Sequence, residues 1–134
     1  MSLLVLQEFT MRLIVFVLFI TLNSSLIASN LGKETYEITC QTCHSPQFAE
    51  GMHAPVAFNK QVWAIRFKNA EIEAKKNPAE FKTAMDFLLY KASIGKGLMP
   101  HGGLCHEANV PRKNCSVKAI AEAIYYMAGI KAGS

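Results

Sequence analysis

Five consecutive residues carry types and spacing that could do chemistry at one place: Cys40-Gln41-Thr42-Cys43-His44. Two thiols one turn apart, followed at once by an imidazole, have three uses. They can cycle between dithiol and disulfide. They can supply half of a tetrahedral zinc site. Or the thiols can add across two vinyl groups on one edge of a haem while the imidazole binds its iron as a neutral nitrogen ligand, the CxxCH attachment pattern of c-type haem. The first use wants a βαβ surround, and the flanks at 32–39 and 45–51 show no strand pattern. The second needs two more ligands, which Cys105 with Cys115 or His106 could supply. The third fits the five residues as they stand. The expected cofactor is therefore one covalently attached haem c, held by Cys40 and Cys43, with His44 on the iron.

An iron with one histidine has a second axial position. Met52, Met85, Met99, Met127, His53, His101 and His106 are the candidates. Met85 and Met127 fall on helical patterns, where a thioether more often fills core space. Met99 lies in Gly95-Lys96-Gly97-Leu98-Met99-Pro100-His101-Gly102-Gly103, a glycine-rich loop. Glycines let backbone pass close to a flat ligand, and Pro100 biases Met99 towards an extended conformation. Met99 is the expected sixth ligand, with His101 its rival. A thioether opposite an imidazole favours ferrous iron and raises the potential relative to a second histidine. With both axial positions filled, the iron suits electron transfer rather than catalysis. A haem enzyme or gas sensor with an open sixth position is the alternative.

These residues need a scaffold, and the pattern around them is helical. Gly32, Tyr36, Cys40 and Cys43 recur at steps of four, four and three, which predicts a helix over 31–43 with these residues on one face. Gly32 is then a place where another helix can come close. Val117, Ile120, Ala121, Ile124 and Ala128 predict the apolar stripe of a last helix over 117–128, capped by Ser116 and stopped by Gly129. Tyr125 or Tyr126 is expected to cross the first helix near Gly32. Residues 58–76 form a ragged helical pattern, and Asn77-Pro78-Ala79-Glu80 reads as the start of another helix that Gly95 stops. No stretch alternates as a strand would. The fold class is all-α.

The chain has 134 residues, which suggests one domain. Arg12 precedes an apolar run over 13–22, and Asn23-Ser24-Ser25 and then Leu26-Ile27-Ala28-Ser29 follow, ending on small residues. This is the pattern of a secretory signal peptide, shorter than a membrane span. The expected division is a signal peptide at 1–29 and a haem domain at 30–134, with translation starting at Met11. An uncleaved segment would instead associate the protein with a membrane. Glu8 and Arg12 are the charged residues before position 30, so the remainder keeps the net charge of +4. That balance is too modest and scattered to argue for nucleic acid. In an oxidising compartment the even pair Cys105 and Cys115 reads as a disulfide closing a short loop, worth about 3 kcal/mol in the chain-entropy model. A second metal site with His106 is the competing use of that pair.

Taken together, these motifs resemble the class I cytochromes c, and among them most closely bacterial cytochrome c₅. The likeness runs through Gly32, Tyr36 and CxxCH, then Ala54-Pro55 with Lys60, Trp63, Ala64 and Arg66. It continues through Leu88-Leu89, Ala92 and Gly95 to Met99-Pro100, Gly102-Gly103 and Cys105, and ends at Ala123, Tyr126 and Met127. The resemblance implies a small fold that wraps one haem, with the first and last helices crossing. It implies that the Pro55 carbonyl accepts a hydrogen bond from His44, and that Trp63 and Arg66 stand near a haem propionate. It implies a periplasmic carrier of single electrons between redox partners such as membrane respiratory complexes or a terminal oxidase, not an enzyme. The chain departs from the family in a charged insertion of about a dozen residues between Arg66 and Leu88, and in the wider spacing of Cys105 and Cys115.

Overall fold

The computed structural model describes residues 30–131. Its first helix, α1, covers 30–44 and includes a π-helical segment, Tyr36–Cys40, and a closing turn, Gln41–His44. Then come α2, Lys60–Lys76, α3, Ala84–Ile94, and α4, Val117–Ala128. Two 3₁₀ turns, Gly103–His106 and Arg112–Cys115, lie between α3 and α4. Among the described residues there is no strand, only an isolated bridge between Lys96 and Met99. The all-α expectation holds. No helix among these residues is long and apolar enough to cross a membrane. The apolar run at 13–22 and the signal peptide expected at 1–29 lie outside the described residues.

The last helix begins and ends where its caps predict. The Ser116 hydroxyl accepts a hydrogen bond from Ala119 N at 3.1 Å. Gly129 takes a left-handed conformation, φ +68°, and its N–H closes onto the Tyr125 and Tyr126 carbonyls. Its buried face differs from the expected stripe. Val117 is 71 % exposed, whereas Ala119, Ala123, Ile124, Met127 and Ala128 are buried. The reason is the approach of α1. A Cβ at Gly32 would lie 2.6 Å from the Glu122 carbonyl oxygen, so backbone meets backbone and small side chains line the seam. Tyr36 sits beside this crossing, with its ring centroid 5.6 Å from Tyr126 and 5.4 Å from Phe58. Tyr125 turns away and stacks on Phe67 of α2. Tyr36, Ala57, Trp63, Ala123, Ile124, Met127 and Ala128 form the core.

In α2, Asn59 rather than Phe58 marks the start: its side chain accepts from Val62 N at 3.1 Å. Phe58 stays outside at φ +66°, its N–H donating to the Met127 carbonyl at 2.7 Å. Lys75–Glu71 and Lys76–Glu73 pairs lie on the exposed side of the last turns.

The start expected at Asn77 is corrected. Asn77 ends α2, and its side chain donates to Glu80 within a turn. The helix begins six residues later behind Thr83, whose hydroxyl accepts from Asp86 N at 3.1 Å while the Asp86 carboxylate accepts from Thr83 N at 2.8 Å. This reciprocal capping box satisfies donors at both ends of the first turn. The delay also lets Phe81, 9 % exposed, fold back against Phe87 and Tyr90.

Candidate functional site

The three chemistry-bearing residues of the motif sit at the C-terminal end of α1. In the π segment the Gln41 N–H reaches back five residues to the Tyr36 carbonyl. Such single-turn widenings re-aim the side chains that follow them and recur at functional sites. Cys40 and Cys43 are both unbonded and half-buried. His44 is buried, and its Nδ1 lies 2.9 Å from the Pro55 carbonyl oxygen. A carbonyl only accepts, so Nδ1 carries the proton and donates. In the neutral ring this leaves the lone pair on Nε2. Burial pushes the imidazole pKa below its ordinary value. The Pro55 contact works in the opposite direction, and the positive charge of Arg66 adds to the lowering. Burial likewise pushes the Cys40 thiol up.

Trp63 is engaged within the chain. Its indole N–H donates to the Val56 carbonyl at 3.0 Å, and the residue is 4 % exposed in the core. The indole is thus held by the loop that carries Pro55. The indole packs 6.5 Å from the His44 ring and holds that loop from behind. Arg66, one turn along α2, is exposed, and its charge is felt at His44.

The Met99 loop is tightly made. Lys96 and Met99 exchange backbone hydrogen bonds, each 3.1 Å, and the Gly102 N–H returns to the Ala92 and Ser93 carbonyls at the end of α3. Gly95, φ +69°, permits this fold: a Cβ there would lie 2.5 Å from the Met99 carbonyl oxygen. Met99 is half-exposed and His101 exposed. Farther along, a Cβ at Gly103 would come within 3.6 Å of the Thr39 carbonyl oxygen, so the loop runs alongside the helix turn that bears Cys40. Cys105 and Cys115 are joined as a disulfide, Cα atoms 5.6 Å apart, which takes both sulfurs from any second metal site with His106. Among the described residues no three His, Cys, Asp or Glu side chains gather as a metal site would need. Haem iron held by one histidine and one thioether needs no such cluster.

These residues fit a haem by the chemistry of their donors: two unbonded thiols and one neutral imidazole with a free nitrogen, on one turn. The apolar surroundings fit as well. Met85, Leu88 and Leu89 of α3 pack against the core, as Cys40 does, yet none of the residues of α3 is buried. They present apolar surface that a flat apolar group would cover. A groove of about 570 Å³ between α2 and α3 lies apart from the motif, lined by Phe67, Lys68, Pro78 and Phe81 among others.

Thr35, Thr39 and Asn114 are the site's neighbours that sequence reasoning missed. All three are buried polar residues linked by hydrogen bonds beside Cys40. Thr39 and Thr35 stand four apart on the predicted helix, which is the one signal that could have paired them. Comparison with protein-family models, with curated proteins and with solved structures finds no match, so the reading of this site rests on its own residues and geometry.

Proposed function

We propose that this chain is a monohaem c-type cytochrome that carries single electrons. The observation that carries the reading is the Nδ1–Pro55 hydrogen bond of His44, which leaves Nε2 available next to two unbonded thiols. Cys40 and Cys43 would hold the haem covalently, His44 and Met99 its iron, in the small crossed-helix fold of a class I cytochrome c. Bound there, haem supplies a one-electron couple at iron. The Pro55 carbonyl fixes the plane of the imidazole and raises its basicity as a ligand. The paired backbone bonds of the Met99 loop hold the thioether at a set depth and limit the rearrangement between redox states. Arg66 supplies positive charge at the surface beside His44, suited to a propionate. The Cys105–Cys115 disulfide supports an oxidising compartment such as the periplasm. Redox proteins such as respiratory complexes or a terminal oxidase are the partners this role implies.

Optical spectra of the purified protein in both redox states test the reading. A sharp reduced α-band with a weak oxidised near-infrared thioether band is expected. Met99→Ala should abolish that band and open the iron to carbon monoxide or cyanide; unchanged spectra after this substitution would move the ligand to His101. A colourless protein whose Cys40 and Cys43 react freely with alkylating agents would overturn the haem reading altogether.

A further inference from the structure

A run of buried polar groups links two parts of the chain that the haem reading treats separately. Asn114, 0 % exposed, lies one residue before Cys115 of the disulfide. Its Nδ2 donates to the Thr35 hydroxyl at 3.1 Å, 79 residues away in sequence. Thr39 Oγ1 donates to the Thr35 carbonyl at 2.7 Å and lies 3.2 Å from Cys40 Sγ. The one hydroxyl proton of Thr39 is thus committed to Thr35, and its oxygen is left facing the thiol as an acceptor. Outside this run, Lys113 pairs with Glu34 at 2.8 Å, so both residues before Cys115 grip the same turn of α1.

Asparagine at this position carries a cost. Its Oδ1 is buried and has no partner within the chain. An apolar side chain of similar size would fill the space without orphaning a carbonyl. What the amide adds is direction: it fixes one turn of the disulfide loop against one turn of α1. That turn opens the π segment, whose widened hydrogen bonding is weaker than that of a regular helix and gains from an external hold.

We propose that Asn114 is a positioning residue: it carries the tether of the Cys105–Cys115 disulfide into the π turn that presents Cys40, and this turn loosens when the tether is absent. The consequence for haem rests on the reading of Cys40 as an attachment residue, while the latch itself is a property of the chain.

Amide hydrogen exchange of the purified protein, with whatever cofactor it carries, tests the latch. Asn114→Ala should speed exchange over residues 35–41 by about tenfold, the scale of one lost buried hydrogen bond, with α4 changing by less than about twofold. The Cys105→Ser/Cys115→Ser double variant should do the same, and the two together no more than either alone. Multiplying effects in the combined variant would overturn the proposal, because the disulfide would then act without Asn114. So would equal acceleration across α4, or no acceleration at 35–41. If Asn114→Ala does not fold, Thr35→Val removes only the acceptor hydroxyl and carries the same expectations. The absorption spectrum of the same samples reports separately on haem, so a colourless protein with the latch signature would sink the haem reading and leave the latch standing.

Discussion

Where α1 crosses α4, Gly32 brings backbone against the Glu122 carbonyl, and Ala119 and Ala123 are wholly buried in the seam. Across the core, α3 carries larger apolar side chains, Met85, Leu88 and Leu89, and buries none of them. The more hydrophobic residues are therefore the less buried. Small residues close a seam because the chain itself supplies the opposing surface. The α3 face has apolar area beyond what the chain covers. One region is finished by packing, and the other has the character of a wall for a ligand.

The largest effect should come from Gly32→Val. Its side chain would meet backbone that cannot rotate away, and we expect a loss of about 3 kcal/mol or more, read as a shift in the denaturant midpoint. An unchanged midpoint would mean that the crossing is looser than described. Paired truncations sharpen the contrast. Met127→Ala, at a position 3 % exposed, should cost about 3 kcal/mol, and Leu89→Ala about 1 kcal/mol in the haem-free chain. If haem covers α3, Leu89→Ala should cost nearly as much as Met127→Ala in the loaded protein; equal small losses in both forms would count against that wall.

The smallest effect belongs to the rim of the crossing. Lys113 beside Glu34 holds its carboxyl below the ordinary value of 4.5. A lowered native pKa contributes stability above the ordinary value, and this is lost as the pH falls from there through the lowered one. Glu34→Gln should therefore lower the melting temperature slightly at neutral pH and leave it nearly unchanged at acid pH below the lowered value, which flattens the acid limb. The pair is solvent-exposed, so added salt should shrink even this difference.

Local signals were legible where one element answers to itself. The Ser116 and Gly129 caps bound α4 as their chemistry predicts, and the spacing of Gly32 and Tyr36 placed both on the face that meets another helix. Two capping signals competed between α2 and α3. Asn77-Pro78 was the more conspicuous, but Thr83 with Asp86 prevailed because only that start buries Phe81 against Phe87 and Tyr90. Asn114 was illegible, since an asparagine near Pro111 reads as a solvated loop until α1 is packed over it. The indole of Trp63 likewise has its partner chosen by a loop, at Val56.

By itself the sequence determined the helical class, the caps of the last helix, and a motif whose thiols and imidazole must share one turn. Those depend on contacts within a few residues, which spacing records. Tertiary structure decided which face of α4 is buried, favouring alanine over Val117 because close backbone approach outweighs side-chain hydrophobicity. It also decided that the disulfide loop reaches Thr35. These are choices among partners distant in sequence, made by the space that remains once the helices have packed.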